Sequence, residues 1–226
     1  MAENYFDLPE VSSSDLGALE RTFYGADDNR DALKGTFNFG SLVDAMLTET
    51  RKLDFVMHTL TEEGGEVIEF DVKVWRDAER LASALRKDPL VSLMLAVMVG
   101  QYIFRRTLTF NYEGEEYTIR GRCKFDGYYH HLGIGLDYKT TACKTLKEFR
   151  ASIDHFNYDR QAAWYMDLTG INQHWIIGIS KVTGEIFKHV VARGDETHRR
   201  GVEKYSLWAY RWIILIGGFT SKLLTK

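Results

Sequence analysis

GRCKFDGYYHHLGIGLDYKTT, residues 121–141, is the stretch on which the reading of this chain turns. Apolar and polar residues alternate on both sides of its centre, and the segment from His130 to Gly133 has the composition of a tight reversal. A four-residue loop there sets Tyr129 opposite Ile134, and pairing outward matches 128 with 135, 127 with 136, and Asp126 with Asp137. Directly opposed residues of an antiparallel pair hold their Cβ atoms about 4.5–5.5 Å apart, so two carboxylates in those places repel unless a cation relieves them. Side chains two apart share a face, which adds Lys139 to Asp137 and sends Leu136 and Tyr138 into the opposite layer. Carboxylate oxygens suit Mg²⁺ or Mn²⁺, ions that acidify a bound water and withdraw charge from phosphorus during phosphodiester cleavage. The expectation is a reaction centre of Asp126, Asp137 and Lys139, with Lys139 steadying the attacking water or the developing charge. A solvated strand surface carrying an ordinary salt bridge is the competing reading of the same D-x-K run.

Outward from this hairpin the periodicity changes. QYIFRRTLTFNY, a turn at Glu113 and Gly114, and EYTIRGRCKFDGYY read as strands that form a three-stranded antiparallel meander with GIGLDYKT. Upstream the spacing is helical: Ser12 to Ser14 cap a helix running to Tyr24, and Phe39, Leu42, Val43, Met46 and Leu47 mark a second. Trp75, Ala78, Leu81, Ala82 and Leu85 give Val72 to Arg86 one apolar face, and Pro89 opens a further apolar helix over 90–99. Downstream, Leu146 to Leu168 returns to helical spacing, QHWIIGISKV and EIFKHVVAR form a second hairpin about Thr183 and Gly184, and a last helix packs the apolar run from Leu207 to Phe219. Helices, a meander, a helix, a hairpin and a helix predict an α/β (α+β) fold, a mixed sheet flanked by helices. The chain reads as one domain, 1–226, with a helical region over residues 1–100, a core over 101–200 and a terminal helix within 195–226.

Composition narrows the function classes. With 45% hydrophobic and 27% charged residues among 226, the chain has the balance of an ordinary globular protein. A net charge of −3 argues against an all-over basic coat for nucleic acid and leaves room for a local basic groove. Two cysteines, Cys123 and Cys143, suggest neither a disulfide scaffold nor a structural zinc site, and the acidic opening MAENYFDLPEVSSSD lacks the pattern of a secretory signal. The seven histidines show no HExxH spacing and no GxxxxGK[ST] loop is present, so zinc and ATP-driven movement are not expected. The expected setting is a reducing cytoplasm.

GRCKFDGYY followed by IGLDYKT resembles the second and third motifs of the PD-(D/E)XK nuclease superfamily, in particular its phage and prophage recombination exonucleases of the exodeoxyribonuclease VIII type. FNYDRQAAWYMDL is similar to that branch's Y-x-x-Q-x-x-x-Y helix, with Tyr158, Gln161 and Tyr165 on one face. SSSDL and FGSLVDAML resemble its first helix and its F-G-x-x-x-H helix, so the likeness covers about residues 12–169. The resemblance implies a restriction-endonuclease-like core and Mg²⁺ (or Mn²⁺) held by Asp126, Asp137, the backbone carbonyl of Tyr138, and Asp44. It further implies DNA positioned by Tyr158, Gln161, Tyr165, Arg122 and Thr140. Its implied activity is digestion of double-stranded DNA ends in phage-type recombination; its implied partners are DNA, further copies of the chain in a ring and a single-strand annealing protein, without a membrane. For a phage or prophage protein the setting becomes the cytoplasm of a bacterial host.

The sequence also departs from the pattern. Asp44 stands where many relatives place a metal-binding histidine, and Gln101 lies on the strand where relatives often carry a glutamate. Two cysteines cannot build the four-cysteine iron–sulfur cluster of some related nucleases. A basic groove is expected from Arg105, Arg106, Arg120, Arg122, Lys144, Lys147, Arg150 and Arg160, with Glu62, Glu63, Glu66 and Glu69 gathered elsewhere. An endonuclease on the same core, or a catalytically inactive DNA-binding or assembly module, are the alternatives.

Overall fold

The computed structural model describes residues 5–25, 30–54, 58–61 and 67–217, with backbone alone for 30–37. The expectations for Glu62, Glu63, Glu66 and the end of the terminal helix fall outside these residues.

A short turn, Tyr5–Asp7, precedes α1 (Ser13–Phe23), which is opened by a reciprocal capping box between Ser12 and Asp15. Next come α2 (Arg30–Thr48), the short strands β1 (Leu53–Asp54), β2 (Thr59–Thr61) and β3 (Val67–Glu69), then α3 (Val72–Lys87) and α4 (Pro89–Val97). The long strands β4 (Val99–Tyr112) and β5 (Glu115–Tyr129) and the shorter β6 (Ile134–Thr141) follow. The chain continues through α5 (Leu146–His155), α6 (Tyr158–Thr169), β7 (Gln173–Ser180), β8 (Ile186–Ala192) and α7 (Glu196–Trp212).

β4-β5-β6-β7-β8 form one sheet in chain order, antiparallel except for the parallel pair β6/β7, so it is a mixed sheet in an α/β fold. The parallel pair is forced by α5 and α6, which carry the chain back across the sheet before β7 begins. Alternation along the strands feeds two cores. Leu136, Tyr138, Ile177 and Ile179 pack with Leu42, Trp75 and Leu81 of α2 and α3, whereas Phe125, Ile176 and Val191 pack with Trp164, Phe149 and Trp208 of α5 to α7.

Three local differences from the sequence reading have physical causes. The separate sheet β1-β2-β3 has strands of two or three described residues, too short to show alternation. The helical stretch 146–168 is two helices, broken where Asn157 turns left-handed at φ 56° and its side-chain amide reaches Glu20 Oε2 at 3.2 Å. The fourth apolar helix ends at Val97, because Val99 already pairs with Tyr128 in the sheet.

Candidate active site

The expected hairpin register is present as far as Tyr129↔Ile134, Tyr128↔Gly135 and Gly127↔Leu136, and there the ladder stops. Asp126 and Asp137 are therefore not a ladder pair, which corrects the direct opposition expected from the sequence. On the other side of β5 the ladder with β4 skips Gln101, which stands across from Asp126 in register with φ 53°. Asp126 thus lies at an interruption in both neighbouring pairings. Its Oδ2 accepts the backbone N–H of Tyr138 at 2.7 Å, so a side chain satisfies an amide beyond the end of the ladder.

Gln101, turned out of the ladder by its left-handed backbone, donates through Nε2 to Asp44 Oδ2 at 2.8 Å and Thr48 Oγ1 at 2.9 Å. This places Asp44, one helical turn beyond Gly40, against the sheet beside Asp126. Burial pushes the Asp44 carboxyl up to about 6, with Glu49 and Asp137 adding to the effect. Burial first, then the charges of Asp44 and Asp137, push Asp126 well above the usual carboxylate range.

Asp137 has the opposite environment. It is buried, its Oδ2 lies 2.9 Å from Lys139 Nζ, and His174 Nε2 stands 3.9 Å away. Burial alone would raise its carboxyl, but the Lys139 cation holds it well below the usual range. The same pairing holds Lys139 protonated: burial works against the charge, and Asp137 and Asp126 more than reverse it. The ammonium also lies 5.1 Å from the centre of the Tyr158 ring. His174 is fully buried, and among the described residues neither ring nitrogen has a hydrogen-bond partner.

A cavity of about 640 Å³ opens where β5 and β6 part, lined by Asp44, Asp126, Tyr138, Lys139, Thr140, Tyr158, Gln161 and Tyr165. Gln161 Nε2 donates to the Tyr165 hydroxyl at 3.2 Å, which links two of the expected α6 residues along the cavity wall. Asp137 is not among the lining residues; it sits behind Lys139. Nor is Arg122, whose expected place along a DNA strand is corrected by its surroundings. It is 5% exposed, donates to the carbonyls of Leu8 (2.6 Å) and Glu10, and pairs with Asp15 at 3.1 Å. Of the eight basic residues expected in a groove, Arg160 lines the cavity, paired with Glu20, while Arg105 and Arg120 clamp the buried Glu10. The lining cations that sequence reasoning missed are Arg21, Lys52 and Lys124. Lys124 was findable, being two residues from Asp126 on one strand; Arg21 and Lys52 come from distant elements.

Oxygen donors are the right chemistry for Mg²⁺, which commonly takes one or two carboxylates and completes its shell with waters and phosphate oxygens. Among the described residues no three His, Cys, Asp or Glu side chains are grouped as an ion cage. Asp44 and Asp126, crowded and short of counter-charge, fit the sparser arrangement.

The fold and site together define a mixed α/β fold with a cavity at a break in its sheet that brings carboxylates and basic side chains together. No family model and no curated protein matches the chain. Among solved structures it is similar to a phage related exonuclease from Haemophilus somnus 129PT, at 15% identity and TM-score 0.41 over 68% of this chain and 76% of that one. It is also similar to SSO0001, at 14% identity and TM-score 0.36 over 62% of this chain and 60% of that one, so the match spans less than two thirds of SSO0001. Among the described residues no helix is long and apolar enough to cross a membrane.

Proposed function

We propose that this protein is a divalent-metal-dependent DNA nuclease, acting on double-stranded ends as an exonuclease of the phage-recombination kind. The observation that carries the reading is the meeting of Asp44, Asp126 and Lys139 around one cavity, with Asp137 paired to the lysine. Asp44 and Asp126, with the Tyr138 carbonyl, would hold Mg²⁺ or Mn²⁺. The ion would supply an acidified water and a sink for charge on phosphorus. The remaining work belongs to the chain's own groups.

Lys139 stays protonated beside Asp137, so it acts as a fixed cation towards the attacking water or the phosphate oxygens, not as a base. Tyr158 restricts the lysine's swing through its ring, and Gln161, Tyr165 and Thr140 offer polar contacts to the strand around the same cavity. The setting proposed is a host cytoplasm, with DNA, further copies of the chain and an annealing protein as partners.

The test is degradation of linear duplex DNA in Mg²⁺ or Mn²⁺ by wild type and Lys139→Ala. Loss of activity in the variant is expected; equal activity, or inert wild type in both metals, overturns the assignment. Nicking of closed circular DNA would mark an endonuclease. A second reading, a catalytically silent DNA-binding module, is favoured by the Gln101 amide on Asp44. Undiminished DNA affinity without Mn²⁺ binding at the carboxylates would select it.

A further inference from the structure

Two phenylalanines at the cavity are placed where hydrophobic burial alone would not put them. Phe6 is 66% exposed and Phe156 is 57% exposed, and both line the cavity that holds Asp126 and Lys139. Neither sits on a loose tip. Phe6 follows the buried Tyr5, with the two rings edge to face at 5.5 Å, and the Arg122 guanidinium lies over the Tyr5 ring at 5.1 Å. Phe156 caps α5, its backbone N–H bonded to Ser152 O at 2.9 Å. The left-handed Asn157 then tethers the corner to Glu20, the residue that also receives Arg160. The rings are thus carried on a braced turn and a braced corner that expose them beside the site.

Basic side chains accompany them: Arg21, Lys52 and Lys124 line the same cavity. Exposed aromatic faces interleaved with cations match an unpaired nucleic-acid strand, in which bases stack on rings and phosphates meet the cations. A closed duplex satisfies only the second need, because its base faces are already stacked on one another. A buried protein interface would not explain why the rings share a cavity with cations and carboxylates.

We infer that Phe6 and Phe156 form a stacking subsite for unpaired nucleobases, so that the strand reaching Lys139 is single-stranded DNA, either a free strand or a frayed duplex end. This rests on the nuclease reading for the meaning of the site, but it is measured by binding and not by turnover. The two rings are positioning residues that register the strand.

The experiment uses the full chain in calcium buffer. Fluorescence anisotropy compares a labelled oligothymidylate with an abasic phosphodiester strand of the same length and charge. Wild type is expected to prefer the oligothymidylate by about tenfold or more. Phe6→Ala and Phe156→Ala should each weaken binding of the oligothymidylate by about 5- to 150-fold, the conversion of ~1–3 kcal/mol per stacked base. Abasic binding should hold in both variants, and Phe156→Trp should keep the preference. Equal wild-type affinity for the two strands, or an equal loss for both strands in the alanine variants, overturns the subsite. The wild-type comparison stands even if a variant fails to fold. Cleavage of duplex ends without base preference sinks this inference alone, whereas base preference without cleavage in Mg²⁺ or Mn²⁺ sinks the nuclease reading alone.

Discussion

Asp126 Oδ2 stands 2.7 Å from the backbone nitrogen of Tyr138, and this hydrogen bond joins the parting strands β5 and β6 just past their last ladder pair. The carboxylate has two separable properties, an acceptor that satisfies a backbone amide and a negative charge crowded by Asp44 and Asp137.

Replacing each property in turn separates structure from chemistry. Asp126→Asn keeps an oxygen for the Tyr138 amide and removes the crowded charge, so stability should hold or rise while DNA cleavage is lost. Asp126→Ala leaves the amide unpaired and should cost about 1–3 kcal/mol. Urea unfolding of both variants checks the split; an alanine variant as stable as the asparagine one would refute it.

Arg122 is expected to behave as a structural residue. Its guanidinium serves the Leu8 and Glu10 carbonyls and Asp15, which ties the N-terminal segment to β5. Arg122→Ala should lower stability by about 1–3 kcal/mol. The dependence of log affinity for DNA on log salt should not change, since that slope counts phosphate contacts. A shallower slope would return Arg122 to the DNA path.

Gly201 is where α7 meets α6. A Cβ there would lie 2.2 Å from the Asp159 carbonyl oxygen and 2.7 Å from Ala163 Cβ, and a backbone atom cannot step aside as a flexible side chain would. Gly201→Ala should therefore cost about 1–3 kcal/mol of stability. DNA cleavage should weaken as well, because α6 carries Gln161 and Tyr165. Thermal melting beside wild type is the measurement, and an unchanged melting temperature would count against this packing.

Acid should act through Asp167. Burial would raise its carboxyl, but hydrogen bonds from His198, Tyr205 and Arg193 hold it below the usual range. A depressed carboxyl contributes stability above its unfolded value near 4, and that contribution is lost as pH falls through the lower folded value. The stability gap between wild type and Asp167→Asn should therefore be widest near neutrality and narrow as pH falls below about 4. Chemical unfolding across that range tests it; a gap independent of pH would show that the carboxylate's charge is not what these groups hold.

The candidate site was legible in the sequence wherever its components lie close in the chain. The alternation in residues 121–141 set the hairpin register, the layer of Leu136 and Tyr138, and the neighbourhood of Asp137 and Lys139. It could not show that the ladder ends one pair early, where the Asp126 carboxylate takes the Tyr138 amide, nor that Gln101 turns out of the neighbouring ladder towards Asp44 of α2.

Local pattern determines local structure: period, turn chemistry and caps act over a few residues, and so the five strands of the main sheet, most helices and their mixed α/β character follow from the chain alone. Tertiary packing decided the parallel join of β6 to β7, the burial of Asp137 behind Lys139, the arrival of Asp44, and the assignment of Arg122 to the N-terminal segment. In each case apolar surface, charges or hydrogen-bonding needs are met only once distant elements pack, and no local spacing records such a choice.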